Sequence, residues 1–404
     1  MPTAVGPNTF GEENLVFGYD LGDGKNSFPG IPAVNCAPVP TSKGSWSVTE
    51  ITDGSIAPPR KGARVFKFVA GTTSNLYRHS GYYGGGGFTN NNNVNPLILG
   101  RTSPDNFTTV SEANKYRWGF WVRGVESNNA GWSFNIDIGD RGGASYVVGN
   151  KTDWYFISCD NATGTNYNAY PYDFFDIFTA NQGLTIYVAD MGIMRSPGTV
   201  DNLPIMQAYP QWVDYGQERT YTEGLIDLKG TSTIDITNVS FDSNAQMEFD
   251  GTDDYVSLGN PTVLRELTSG TIETVYYRDA STGTYQMVFT DGGSDLEITY
   301  SGNVLQFYIG NSGLSYTHAV TGQYFYVTGT WGSGFKKLYL NGVEVASGTN
   351  TGIDTGNRDR FIGGRGTSFS FNGKVPMVKV LTRALTSSEI QANYNAIKGR
   401  FNIE

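Results

Sequence analysis

Two cysteines and two histidines in 404 residues leave the chain short of the side chains from which most metal centres and nucleophilic sites are built. Cys36 and Cys159 stand far apart with no Cys-x-x-Cys pair to grip zinc, and they are expected to be reduced, packed thiols made in a cytoplasm. His79 lies in NLYRHSGYY and His318 in LSYTHAVTG. Neither neighbourhood holds an activated nucleophile, so both are expected to be solvated loop or strand residues. Charge is scarce too: 16% of residues are charged and the net charge is −10, which removes the basic footprint that nucleic-acid binding needs. No apolar run approaches the ~18 residues of a membrane span. The opening MPTAVGPNTFGEENLVFGYD has no basic stretch followed by an apolar one, so neither a signal peptide nor membrane insertion is expected. Coiled-coil heptads, collagen-like triplets and repeated segments are missing as well, which argues against a long fibre shaft.

What the chain has in quantity is strand and turn chemistry. Glycine supplies 52 residues and aromatics 14%, with Thr, Ser and Asn crowded between Val, Ile, Tyr and Phe. In the first half, NLVFGYDL, ARVFKFVAG, YRWGFWVRG, WSFNIDIGD, DWYFISCD and GLTIYVADMGIM are short runs parted by Gly, Asn, Pro and Ser, the spacing of a β-sandwich. In YRWGFWVRG, Trp118, Phe120 and Val122 alternate with Arg117, Gly119 and Trp121, as in a half-buried antiparallel strand. The stretch Asn202–Gly224 has prolines and no period and reads as a connector. Strand runs then resume from LIDLKG to GKVPMVKV. The expected organisation is an N-terminal extension over 1–13, a first jelly roll over 14–201, the connector over 202–224 and a second jelly roll over 225–404, all antiparallel β.

Two local features carry a mechanism. Asn341-Gly342, between Leu338-Tyr339-Leu340 and Val343-Glu344-Val345, predicts a type I′ hairpin turn, whose two central residues both need positive φ. LTSSEIQANYNAIKGRF predicts the one helix: Thr386 or Ser387 caps it, Glu389 stands at capping-box distance from Thr386, Ile390, Tyr394 and Ile397 share a face, and Gly399 stops it.

Three ordered segments of the second half resemble the laminin-G-like, concanavalin A-like jelly rolls: AQMEFDGTDDYVSLGNP, YFYVTGTWGSGFKKLYLNGVEVASG and FNGKVPMVKVLTRALTSSEIQANYNAIKG. The fold follows from the resemblance; the function does not, because this fold serves lectins, glycosidases, adhesion modules and structural parts alike. The first half, through NLVFGYDLGDGKNSFPG and LTIYVADMGIM, resembles a carbohydrate-binding-module-type jelly roll placed before laminin-G-like domains in virion proteins of tailed bacteriophages. In those proteins the two are joined by a segment similar to YTEGLIDLKGTSTIDITNVSFDSNAQMEFDGTDDYV. The resemblance implies a structural protein of the virion surface, made in the host cytoplasm, that decorates a capsid or forms a short fibre or appendage. Its implied partners are other capsid or tail proteins, further copies of itself and host-surface glycans; a carbohydrate-binding adhesin and a polysaccharide hydrolase are the alternatives.

Catalytic residues are not expected. Jelly-roll glycosidases set paired carboxylates on one strand face, and the spacing admits Asp137 with Gly139 and Asp140 in NIDIGD, and Asp295 with Glu297 in SDLEITY. Leu296 and Ile298 take the core side of that strand, which leaves Asp295 and Glu297 as solvent-side polar residues. Calcium is the cation that Asp291 and Asp295 in TDGGSD, or Asp250, Asp253 and Asp254 in FDGTDDY, would take, although Asp beside Gly also simply builds turns. HSGYYGGGGFTNNNNVN is the most unusual segment; Tyr82, Tyr83 and Phe88 are its candidates for stacking on sugars or on a neighbouring subunit.

Overall fold

The computed structural model describes residues 9–35, 39–42, 45–60, 62–71, 75–78, 116–125, 133–137, 144–147, 152–159, 176–179, 185–195, 213–242, 244–281, 284–350 and 357–403. The chain divides into two compact units, one of Met1–Ile31 with Tyr221–Glu404 and one of Pro32–Thr220. The expected tandem order, with a first domain opening at residue 14, is therefore corrected to an insertion. Strand β1 (Leu15–Asp20) belongs to the C-terminal unit, where Phe17 pairs with Val380 and Tyr19 with Val378. Periodicity identified the strand, but a strand's partner is set by tertiary packing that periodicity does not encode.

The inserted unit holds β2 (Ala33–Asn35), β3 (Trp46–Ile51), β4 (Val65–Ala70), β5 (Asn75–Arg78), β6 (Tyr116–Arg123), β7 (Ser133–Asp137), β8 (Ala144–Val147), β9 (Tyr155–Cys159), β10 (Asp176–Thr179), β11 (Thr185–Arg195) and β12 (Glu218–Arg219). One antiparallel sheet runs β12-β2-β11-β4-β3, with β6 also pairing to β11 and to β9; the other runs β5-β10-β7-β8. Phe120 and Val122 are buried as the alternation predicts, with Trp46, Phe66, Phe68, Ile186 and Val188. Glu218–Arg219 pairs with β2, so this part of the expected connector is sheet, while 202–212 lies outside the described residues.

The other unit continues with β13 (Asp235–Asn238), β14 (Ser240–Phe241), β15 (Met247–Asp250), β16 (Tyr255–Gly259), β17 (Gly270–Arg278), β18 (Tyr285–Thr290), β19 (Leu296–Ser301), β20 (Val304–Ile309), β21 (Ser312–Thr317), β22 (Gln323–Gly332), β23 (Phe335–Leu340), β24 (Val343–Gly348), β25 (Arg360–Ile362), β26 (Asn372–Leu381) and α1 (Ser387–Phe401). Two antiparallel sheets result, β14-β15-β26-β17-β22-β23-β24 with β1 on β26, and β13-β16-β25-β18-β19-β20-β21. Their inner faces meet where Phe307 of β20 lies 6.1 Å from Trp331 of β22 and where the hydroxyls of Tyr276 (β17) and Tyr300 (β19) are 2.8 Å apart.

Helix α1 covers the middle of the outer face of the first sheet. Ile390, Tyr394 and Ile397 of α1 pack on Val275, Tyr326, Tyr339 and Met377, the stripe the helical spacing predicts. The capping box forms: Thr386 Oγ1 accepts from Glu389 N at 3.3 Å, and Thr386 N donates to Glu389 Oε2 at 2.8 Å. Gly399 does not end the helix; it runs to Phe401 and is capped by Asn402 in the left-handed region at φ 52°. Phe401 packs 5.4 Å from Tyr324 and Ile403 is buried, so apolar contact carries the last turn past the glycine. At the predicted hairpin, Asn341 and Gly342 have φ of 48° and 80°, as a type I′ turn requires.

Candidate functional site

The second sheet presents the other outer face. Leu296, Ile298 and Tyr300 of β19 are opposite Ile309, Phe307 and Leu305 of β20 and point inward, so Glu297 and Thr299, opposite Tyr308 and Gln306, point outward. On β21 the same face carries Gly313, opposite Tyr308, and Ser315, opposite Gln306. The Tyr308 ring spreads across Gly313, where a Cβ would lie 2.7 Å from it. Gln306 Nε2 donates to Ser315 Oγ at 3.3 Å. Burial, then the neighbouring Tyr285 and Glu297, push the Tyr308 hydroxyl pKa up. Further along the face, Tyr255 and Phe361 meet edge to face at 5.9 Å, and Tyr285 meets Phe369 at 5.7 Å.

Glu297 and Asp295 are not the solvent-side residues expected; both are buried, at 3% and 2% exposure. The turn between β18 and β19 folds back over them. Glu297 Oε1 accepts from Thr290 Oγ1 at 2.6 Å and from Ser294 N at 3.0 Å, and burial raises its pKa above the ordinary glutamate value. Asp291, fully buried, accepts from Gly293 N at 2.9 Å and Asp295 N at 3.1 Å through Oδ1. Asp295 Oδ1 accepts from Asn311 Nδ2 at 2.9 Å, and its Oδ2 faces Arg358 at 3.4 Å. Burial and Asp291 together raise the Asp295 pKa against the pull of Arg358. The calcium candidates Asp291 and Asp295 are thus brought together, but as acceptors within a turn, with an arginine already against one of them.

A second acidic group fits a divalent cation better by geometry. Carboxylate oxygens of Asp250, Asp253 and Asp254 lie within 4.8 Å of one another. The same residues also build their turn: Asp250 N donates to Asp254 Oδ2 at 2.8 Å and Thr252 N to Asp250 Oδ1 at 2.7 Å. Burial first, and the charges of Asp250, Asp253 and Glu248 with it, push the Asp254 pKa up to about 6.

His318 is not solvated as expected. It is buried between the sheets, its Nδ1 2.8 Å from the Tyr300 hydroxyl and its ring edge-on to Phe325 at 4.6 Å. Arg278 lies across Tyr300 at 3.8 Å from the ring centre and donates to Gln286 Oε1 and to the carbonyls of Gly302 and His318. Burial, with the Arg278 charge, holds the His318 pKa below its ordinary value. The unfolded chain therefore takes up this proton first, and the linked stability is lost as pH falls below about 6.5. His318→Asn is expected to shrink the fall in Tm between pH 7.5 and pH 5.5; thermal melts of both proteins at the two pH values check this. The buried Glu273 and Glu297, whose raised pKa values act in the opposite sense, are common to both proteins and cancel in the difference.

Tyr82, Tyr83, Phe88, His79, Cys36, Gly139 and Asp140 lie outside the described residues. Asp137 ends β7 opposite Asp176 and Cys159 ends β9 opposite Trp118. Sequence reasoning missed Gln306 and Tyr308, though VLQFYI alternates cleanly and puts both on the polar side. It also missed Tyr285 and Phe369, which no local pattern marks.

Residues 250–391 match the model of the concanavalin A-like lectin/glucanases superfamily, so this part of the chain is a concanavalin A-like domain. No curated protein sequence matches the chain. Among solved structures, it is similar to a botulinum neurotoxin serotype D ligand-binding domain in complex with N-acetylneuraminic acid, with 13% identity, a TM-score of 0.37, and coverage of 44% of this chain and 49% of that one. It is also similar to botulinum neurotoxin type C, whose cell entry depends on two ganglioside molecules, with 14% identity, a TM-score of 0.35, and coverage of 44% and 50%. The sialidase of Trypanosoma rangeli in complex with 2,3-difluorosialic acid is similar at 16% identity and a TM-score of 0.35, with coverage of 42% and 30%. The chain thus spans about half of the neurotoxin structures and less of the sialidase.

Proposed function

We propose that this chain is a non-catalytic surface component of a tailed-bacteriophage particle, a capsid decoration or short fibre or appendage, whose concanavalin A-like unit holds host-surface glycans on the open face of β20 and β21. The observation that carries the glycan reading is the asymmetry of the two outer faces. One is covered over its central strands by α1; the other offers Tyr308, Gln306, Ser315 and Thr317, a phenol ring among amide and hydroxyl groups. Hydrogen-bonding groups beside an aromatic ring are what a sugar, with its apolar and polar faces, requires. The particle reading is supported by the resemblance of both halves and of the joining segment to virion proteins. Its partners there are other capsid or tail proteins and further copies of the chain.

A hydrolase is the second reading, favoured by one observation: burial keeps the Glu297 pKa up, the state a general acid needs. Against it, the adjacent carboxylate Asp295 is held by Asn311 and Arg358 and is a poor nucleophile in that setting. The full chain is expected to bind oligosaccharides on a glycan array without releasing reducing ends, and the Gln306→Ala, Tyr308→Ala double variant to bind at least ~10-fold more weakly, the worth of about 1.4 kcal/mol. A blank array would overturn the binding reading, and turnover abolished by Glu297→Gln would replace it with the hydrolase. Mass spectrometry of purified particles tests the location; absence of the chain from them rules it out.

A further inference from the structure

Phe369 is the one aromatic among the described non-glycine residues with positive φ, at 58°. For a bulky side chain this is a disfavoured backbone region, normally tolerated when burial or hydrogen bonds over-determine it. Burial does not explain it: the residue is 41% exposed. The backbone around it is pinned instead. Arg365 N donates to Ser368 O at 2.7 Å, Ser370 Oγ to Thr252 O at 2.7 Å, Met287 N to Phe369 O at 3.0 Å and Phe371 N to Gly363 O at 2.7 Å. Its neighbour Phe371 is fully buried against Tyr276. The chain is anchored on both sides of Phe369, and the strained residue between the anchors holds its ring toward water.

The ring does not stand alone. Tyr285, at the start of β18 and 42% exposed, meets it edge to face, with centroids 5.7 Å apart and planes at 80°. Two rings at a near right angle make a corner, with one face to stack on and one wall to stop sliding. Tyr285 pairs with Ser301 of β19, which pairs with Val304 of β20, so the corner lies on the same outer face of the sheet as Gln306 and Tyr308.

We infer that Tyr285 and Phe369 form a stacking subsite for a single pyranose ring with a contiguous C–H face, as β-glucose and β-galactose units have, and that the left-handed backbone of Phe369 is retained for this purpose. The inference rests on the glycan reading given above and names the ring geometry that reading leaves open. Aromatic faces are electron-rich and attract the polarised C–H groups of such a sugar. Its hydroxyl edge would then lie toward the polar groups of β20 and β21. A protein partner is disfavoured because two rings edged by amide and hydroxyl groups fall short of the apolar core that protein interfaces use.

The test is a pair of variants of the full chain, Phe369→Gly and Tyr285→Ala, titrated with lactose and cellobiose and read on an array of β-gluco- and β-galacto-configured oligosaccharides. Each variant is expected to lose at least 10-fold in affinity, while Phe369→Trp retains binding. Glycine accepts positive φ without strain, so Phe369→Gly is expected to keep or raise the Tm while losing the ligand, a split that a merely structural role for the ring would not give. Binding by both variants at the wild-type level overturns the subsite and leaves the glycan reading standing. Loss of binding with a lowered Tm in Phe369→Gly overturns the role assigned to strain. A wild-type chain that binds no glycan overturns the glycan reading and the subsite together.

Discussion

A fragment of residues 225–404 is expected to be insoluble or to show no cooperative unfolding transition, although it contains all of the segment that matches the concanavalin A-like family. It lacks β1, which pairs along β26 from Leu15 opposite Leu381 to Asp20 opposite Met377. It also lacks Leu15, Phe17, Leu21, Phe28 and Ile31, all buried. At roughly 1.5–3 kcal/mol each, these amount to about 10 kcal/mol of gross stabilisation, comparable with the whole net stability of a domain, about 5–15 kcal/mol. Buried polar groups are stranded as well. Asp227 Oδ1 accepts from Gly18 N at 2.9 Å, and Arg400 donates to both carboxylate oxygens of Asp20, at 2.6 and 2.5 Å. Lys379 Nζ donates to Thr9 Oγ1 and Glu12 Oε1, each at 3.0 Å.

The same contacts say how to restore the fold. Ile226 N donates to Ser27 O at 2.7 Å and Gly30 N to Gly224 O at 3.4 Å, so the chain leaves this unit and re-enters it at neighbouring points. Residues 1–31 joined to 221–404 by a short Gly/Ser linker are therefore expected to be soluble and to melt in one transition. Circular dichroism melts of the two fragments check the pair; a cooperative melt from 225–404 alone would show that β1 is dispensable.

Strand β1 is legible in the sequence as an element but not as a partner. NLVFGYDL announces a strand because its apolar residues and turn neighbours are local. That it pairs with a strand more than 350 residues away is written in the complementarity of two surfaces, and nothing near Leu15 reports it. The capping box at Thr386 and the turn at Asn341-Gly342 were legible for the complementary reason: their chemistry is complete within four residues. Glu297 lies between these cases. Alternation correctly put Leu296 and Ile298 on the core side, yet an outward position is solvated only if nothing returns over it, and the turn from Thr290 to Asp295 does. His318 likewise sits at a strand end that reads as polar, but Tyr300 and Phe325 close around it from two different sheets. For the open face, the outward Gln306 and Tyr308 were available from the pattern of β20. Phe369 was not, because its signal is a backbone angle.

Trp331→Ala is expected to give the largest effect of any single substitution in the sandwich core, about 3–5 kcal/mol of lost stability. For a unit of this size that is a fall in Tm of roughly 10 °C. The side chain is fully buried, and its Nε1 donates to Leu267 O at 2.9 Å. The surroundings are shaped to it: a Cβ on Gly270 would come within 2.5 Å of the indole, and one on Gly329 within 2.6 Å of Phe307, the ring that packs beside Trp331. A cavity bounded by β-sheet on both sides has little freedom to collapse, which places the cost toward the upper end of the range. The consequence reaches the ligand face through one strand. Phe307 faces Trp331 and precedes Tyr308, which points to the opposite side of β20, so slack under Phe307 is slack under the proposed sugar contact. Denaturant melts should show the stability loss with an unchanged m-value, and glycan affinity measured well below the new Tm should fall by less than in the Gln306→Ala, Tyr308→Ala double variant. Equal stability of Trp331→Ala and the wild type would mean that the two sheets are held together elsewhere.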